Sequence, residues 1–243
     1  MRPSVLAAAL ALTALPLSAE TVDQIIARYV QARGGIEKIR AVQTLRFTGR
    51  MTLPDVEAPI VFEMKRPNRM RTEFVFQGNT GVRAFDGQKA WMVLPVPGLD
   101  QPQLMPPDEA RDARDQADID LSPLVNYQAK GFTVELVGRE GPIGKEMWKL
   151  RVSGRDGPVR SLFIDSKTSL VVRGEETRSV GGQDVELVTV ISDYRAEGGL
   201  VFPHSIQVGP KQGDEQQRFI FDKIEVNVPV DDARFAMPAA RAH

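Results

Sequence analysis

The hydrophobic period of the chain changes near Thr44, dividing a helical opening from a long remainder that reads as strands. Before that point Val22, Ile25, Ile26, Tyr29 and Val30 recur at helical spacing, so the segment from Thr21 to Arg33 predicts an amphipathic helix whose apolar face must lie on something. Thr21 and Gln24 have capping-box spacing, in which each side chain satisfies the other residue's free backbone amide. Gly34-Gly35 ends the helix, because glycine accepts the left-handed backbone that a helix stop requires. A second short turn is expected through Ile36, Ile39 and Val42.

From Thr44 the period is two. Leu45, Phe47, Met51 and Leu53 alternate with Arg46, Thr48, Arg50 and Thr52. Ile60, Phe62 and Met64 alternate with Val61, Glu63 and Lys65, and Met70, Thr72, Phe74 and Phe76 with Arg71, Glu73 and Val75. Pro54-Asp55, Pro67-Asn68 and Asp86-Gly87 carry turn chemistry, the last leading into a strand with Trp91 and Val93. Five prolines between Pro95 and Pro107 then forbid a regular ladder, since proline has no amide to donate. The charged run Asp108 to Asp120 reads as a solvated helix or exposed loop. Leu121 to Ala129 reads as a short helix with Pro123 in its first turn and Gly131 after its end.

Beyond Gly131 the alternation resumes through Phe132–Leu136, Trp148–Val152, Leu162–Ile164, Leu170–Val172, Val185–Ile191, Leu200–Val208 and Phe219–Val228. Turns are expected at Gly154–Gly157, Gly181-Gly182 and Gly198-Gly199. Together these predict a mainly β fold with few helices, an antiparallel sheet curled into a barrel or half-barrel, in one domain over residues 20–243.

Residues 1–19 change where that domain is expected to work. Arg2, the apolar run Pro3 to Leu15, the helix-breaking Pro16 and the small Ala19 make a secretory signal peptide, with the cut before Glu20. The run is shorter than the roughly 20 apolar residues that span a bilayer. With Cys 0 there is no disulfide framework and no thiol at the cut to accept a lipid, so a soluble periplasmic protein is expected. The 31 basic and 32 acidic side chains include no basic block able to follow a phosphate backbone, which argues against nucleic acid.

Candidate chemistry is sparse. The histidines are His204 and the terminal His243, without metal-ligand spacing, and no nucleophile elbow or phosphate loop occurs. His204, after Phe202-Pro203, reads as a structural histidine, and no enzyme activity, metal or cofactor is expected. The dry face of the first strands is unusually bulky, with Met51, Phe62, Met64, Met70, Phe74, Phe76 and Trp91. Alternation alone leaves two arrangements open: an ordinary core beneath the helix, which is the simpler, or a pocket lined by these side chains.

An ordered series of short segments resembles the exported outer-membrane lipoprotein-sorting family, the fold group of LolA and LolB with the relatives RseB and LppX. The series runs from Ile25-Ile26-Ala27-Arg28-Tyr29 with Gly34-Gly35 to Ile39-Arg40-Ala41-Val42-Gln43-Thr44-Leu45. Phe85-Asp86-Gly87 with Trp91, then Ala117-Asp118-Ile119-Asp120 running into Leu124-Val125-Asn126-Tyr127, and then Val134-Glu135-Leu136-Val137-Gly138 follow. Phe163-Ile164-Asp165, Asp193-Tyr194-Arg195, Phe202-Pro203 and Asn227 to Phe235 complete it. The resemblance implies an unclosed antiparallel β-barrel with the N-terminal and mid-chain helices covering its concave face. It implies a periplasmic carrier that takes acyl chains of lipoproteins or lipids into an apolar cavity. Phe47, Met51, Phe62, Met64, Phe74, Phe76, Trp91, Leu124 and Trp148 are the expected lining. The same resemblance implies an alternative, an RseB-like lipid sensor that touches an envelope membrane-protein partner; an enzyme on this scaffold is the remotest reading.

Overall fold

The computed structural model describes residues 20–53, 56–154, 157–180, 183–213 and 216–239. The expected signal peptide and the Pro54-Asp55 and Gly181-Gly182 turns therefore lie outside the described residues. Helix α1 (Val22–Ala32) and α2 (Ile36–Ala41) open the fold. Strands β1 (Thr44–Leu53), β2 (Val56–Lys65), β3 (Arg69–Phe76), β4 (Asn79–Phe85), β5 (Ala90–Val93) and β6 (Gln103–Leu104) follow. Helix α3 (Pro107–Gln116) precedes β7 (Thr133–Glu140), β8 (Met147–Ser153), β9 (Arg160–Asp165) and β10 (Val171–Val180). The last strands are β11 (Gln183–Glu197), β12 (Leu200–Pro210) and β13 (Gln217–Val226).

All 13 strands form one antiparallel sheet in the order β6-β5-β4-β3-β2-β1-β13-β12-β11-β10-β9-β8-β7. The two ends, β6 and β7, do not pair with each other, so the sheet is an open half-barrel and not a closed barrel. Its curl is visible in the core. Phe47 of β1, Phe221 of β13, Phe202 of β12, Ile164 of β9 and Trp148 of β8 share one apolar cluster with Ile25, Ile26 and Tyr29 of α1. Strands that far apart in the order meet only if the sheet wraps around the helix.

Helix α1 forms as its sequence expects. Gln24 N–H donates to Thr21 Oγ1 at 3.3 Å and Thr21 N–H to Gln24 Oε1 at 2.9 Å, closing the capping box. Gly34, at φ 116, lets the chain leave the helix against the β11–β12 hairpin, where any Cβ would lie 2.7 Å from the Gly199 carbonyl oxygen. That closeness lets Val201 N–H donate to the Arg33 carbonyl at 3.0 Å and ties the helix end to β12.

The mid-chain differs from expectation. Residues 123–131 form successive turns and not a helix. Leu121 and Asn126 take left-handed backbone, with φ 56 and 53, and that conformation interrupts a helical ladder. The charged run does form a helix, α3, begun by Pro107, whose lacking amide suits a first turn. Its Ala113 is buried against Met70, Phe85 and Met92 at the β3–β5 end of the concave face, and Ala117 just beyond the helix joins them.

Candidate functional site

The concave face carries two apolar clusters, one under α1 and one under α3, and Phe62 touches both. Where they meet, an apolar cavity of about 260 Å³ opens between the sheet, α1 and residues 121–123. Phe47 and Phe62 face each other across β1 and β2 with ring centroids 5.8 Å apart, and Phe47 also meets Phe221 at 5.1 Å and Phe202 at 5.9 Å. Leu162, Val171, Ile191 and Ile206 supply the opposite wall from β9 to β12. Among the described residues, no Asp, Glu or Lys lines it.

Two elements close this cavity. Helix α1 buries Ile25, Ile26 and Tyr29 in the apolar cluster, and Tyr29 borders the cavity. Residues 117–131 form the second cover, with Leu124 and Val125 fully buried. Charge fixes this cover to the sheet. Arg66 donates to Asp120 at 2.8 Å and to the Val42 carbonyl at 2.6 Å, while within the cover Lys130 reaches Asp118 at 2.6 Å and Asp120 at 3.0 Å and holds its turns together. Burial pushes the Asp120 carboxyl up, but hydrogen bonds from Arg66 and Lys130 outweigh it and hold the group below its ordinary value. For Asp118 burial wins over Lys130, and its carboxyl is raised.

Helix α3 closes the far side by reaching both rims. Glu109 pairs with Arg83 of β4 at 3.1 Å, while Asp112 pairs with Arg178 of β10 at 2.7 Å and Asp115 with Arg160 of β9 at 3.0 Å. The charged run is thus a largely exposed helix, as expected, whose acidic side chains also clasp the two rims of the sheet. Below it lies a second hollow of about 240 Å³ that shares Leu162 and Ile191 with the apolar cavity. Because these pairs are half-exposed, salt screens them. Raising sodium chloride to about 1 M is expected to speed amide exchange of α3 while leaving α1 unchanged. Equal acceleration in both helices contradicts the clasp.

Eight of the nine expected lining residues fall into three groups. Phe47 and Phe62 border the cavity. Met64, Leu124 and Trp148 belong to the surrounding core, Trp148 beneath Arg139, whose guanidinium carbon is 3.6 Å from the ring centroid. Met51, Phe74 and Phe76 lie toward the opposite strand ends, half-buried and away from the cavity. There Gln217 donates to Met51 Sδ at 2.7 Å, and Phe74 stacks on the bare Gly81.

Trp91 is a correction. It pairs with Ala84, so Met92 and Ala90 face inward and Trp91 faces the convex side. There residues 227–239 cross the sheet as a strap, and Trp91 Nε1–H donates to the Phe235 carbonyl at 2.8 Å. The strap is charge-anchored: Arg234 donates to Glu63 at 2.6 Å and to Glu73 at 3.1 Å, and Glu63 is only 1% exposed. Asp232 meets Lys65 and Arg69, whose hydrogen bonds bring its pKa down to about 2. A larger hollow, about 760 Å³, lies beside this strap and has Arg71, Asp100 and Arg234 in its wall, so it lacks the apolar character of the concave cavity. Phe235 is fully buried. Phe235→Ala is expected to red-shift the tryptophan emission by wetting Trp91. An unchanged spectrum, with Trp148→Phe removing the other indole, contradicts the strap.

His204 is buried, and its Nδ1 lies 2.6 Å from the Phe221 carbonyl oxygen; since a carbonyl only accepts, that nitrogen carries the proton. Among the described residues no group of three or more His, Asp or Glu could hold a metal ion. Likewise no described helix is long and apolar enough to cross a membrane. Tyr29, Arg33, Leu162, Ile191, Tyr194, Ile206 and Phe221 complete the cavity wall without having been expected there. The alternation of β9 to β13 was visible, but attention to large aromatic and methionine side chains favours the first strands.

These features define an open half-barrel with a covered apolar concave face. No protein-family model matches the chain, and no curated protein matches it. Solved structures do. A LolA superfamily protein from Nitrosomonas europaea matches with TM-score 0.60 at 14% identity, covering 90% of this chain and 98% of that one. A Vibrio parahaemolyticus domain named for outer membrane lipoprotein sorting matches with TM-score 0.58 at 10% identity, covering 87% and 94%. A DUF1329 family protein from Desulfovibrio piger matches with TM-score 0.58 at 12% identity, covering 88% and 97%. At these identities the likeness establishes the LolA-like fold.

Proposed function

We propose that this chain is an exported periplasmic carrier, released by cleavage before Glu20 as one 20–243 domain, that shields acyl chains of lipids or lipoproteins from water and makes or breaks no bond. The observation that carries this reading is the apolar cavity beneath two covers, α1 and residues 117–131, the second seated by buried Leu124 and Val125 and tied to the sheet side by the Arg66–Asp120 ion pair. At about 260 Å³ the cavity is smaller than the roughly 300–1,000 Å³ of ordinary ligand pockets. The covers must therefore shift on loading, and α3 with the hollow beneath it is the route that shift opens. The driving force is ample, because each buried methylene contributes about 0.8 kcal/mol. Unloading then needs an acceptor, such as an envelope membrane protein, that binds the cargo better or the open form better.

Native mass spectrometry with lipid extraction tests this on protein exported through its own leader in a Gram-negative host. Acylated molecules in roughly stoichiometric amount are expected, with headgroups that tell lipid from lipoprotein cargo. A bare protein mass, persisting after incubation with lipids and a triacylated peptide, overturns the carrier reading and leaves the concave face as core alone.

A further inference from the structure

One wall residue of the cavity has no place in a purely apolar site. Arg33 is 4% exposed, and it is the one charged side chain among the described lining residues. Its Nε donates to the Val201 carbonyl at 2.9 Å and its Nη1 to the Tyr29 hydroxyl at 2.8 Å. Both acceptors are neutral. The guanidinium also lies near the rings of Tyr29 and Phe202, at 5.8 and 5.7 Å. No described carboxylate pairs with it, whereas Arg46, Arg66, Arg71, Arg160 and Arg178 each face one. A buried cation without a counter-charge is costly, and that cost falls when an anion arrives. Tyr29 accepts from Arg33, so its own hydroxyl proton remains to be donated, and Tyr29 lines the same cavity.

We propose that the cavity selects a single-chain amphiphile with an anionic head, a carboxylate or a phosphate monoester, whose head sits on Arg33 and Tyr29 and whose tail runs along Phe47 and Phe62. This rests on the concave cavity being the ligand site. The small cavity volume fits one chain better than several. A charge-assisted, potentially bidentate contact from the guanidinium supplies the head selectivity, and the apolar wall accepts any tail of suitable length.

The test is a binding series on the mature protein with dodecanoate, dodecyl phosphate and dodecanol, which share a tail and differ at the head. Both anions are expected to bind roughly ten- to a hundredfold tighter than the alcohol. The tighter anion identifies the head as a fatty-acid carboxylate or a phosphate. Arg33→Met is expected to lose that gap while still binding dodecanol, and Tyr29→Phe to narrow it. Dodecanol binding as tightly as both anions overturns the head selectivity but leaves the cavity as a site. Binding of none of the three overturns the cavity itself. The wild-type series decides between these outcomes even if Arg33→Met fails to fold.

Discussion

Replacing Phe47 by alanine is expected to destabilise the protein by roughly 3–5 kcal/mol, the range for removing a large buried aromatic side chain. Phe47 is 3% exposed and meets three other rings, Phe62, Phe202 and Phe221, which belong to three different strands. Deleting its ring would merge its volume with the existing cavity, and the sheet, curled around α1, has little freedom to collapse into the gap. Urea unfolding measures the loss directly. Phe74→Ala is the internal control. That ring is half-buried at the opposite strand ends, so its loss should cost clearly less. Equal costs at the two positions would mean that Phe47 is not central to the core.

The second large effect concerns the cover. Asp120→Ala removes the carboxylate that both Arg66 and Lys130 contact, leaving Arg66 with carbonyl acceptors only. Breaking such a pair costs roughly 3–5 kcal/mol where the remaining charge is well buried. Because Arg66 is half-buried and Lys130 keeps Asp118, the lower part of that range is expected. The loss should appear as faster amide exchange in residues 117–131 before any global unfolding.

The same pair sets a pH dependence whose two parts oppose. The folded-state pKa of Asp120 lies below its unfolded value, so its stabilisation is complete above that value and is lost as pH falls through the lowered one. Burial raises Asp118, so its ionisation works against the fold as pH rises through the raised value. Opening of the cover is therefore expected only below the ordinary carboxylate range. Asp120→Asn should remove the acid-driven part. Acid opening that persists in this variant would assign it to another group.

The frame of the molecule was legible because period-two alternation and turn residues report local structure directly. Helix α1, its capping box and the Gly34-Gly35 stop, the Gly198-Gly199 hairpin and most strands lie where the pattern predicts them. Tertiary partners were not legible. The polar side of the alternation in β1 to β3 looks solvated, yet Glu63 is almost fully buried because residues 227–239 return to cover it. That return also explains Trp91, whose size suggested the cavity but whose face is fixed by pairing with Ala84. The clasp made by the exposed helix α3 was hidden for the same reason: its partners Arg83, Arg160 and Arg178 sit on strands distant in the chain. Residues 121–131 have helix-compatible composition, and the left-handed Leu121 and Asn126 override it.

In the proposed carrier, acyl chains lie on the concave face between Phe47, Phe62 and residues 121–123. A fatty acid carrying a diazirine near its chain end tests it most directly, by photolysis on the mature protein followed by peptide mapping of the adducts. Adducts on β1, β2, residues 121–123 and β13 around Phe221, competed away by unlabelled lipid, are the predicted result. Adducts confined to the strap and the convex hollow near Trp91, or none above background, would contradict it.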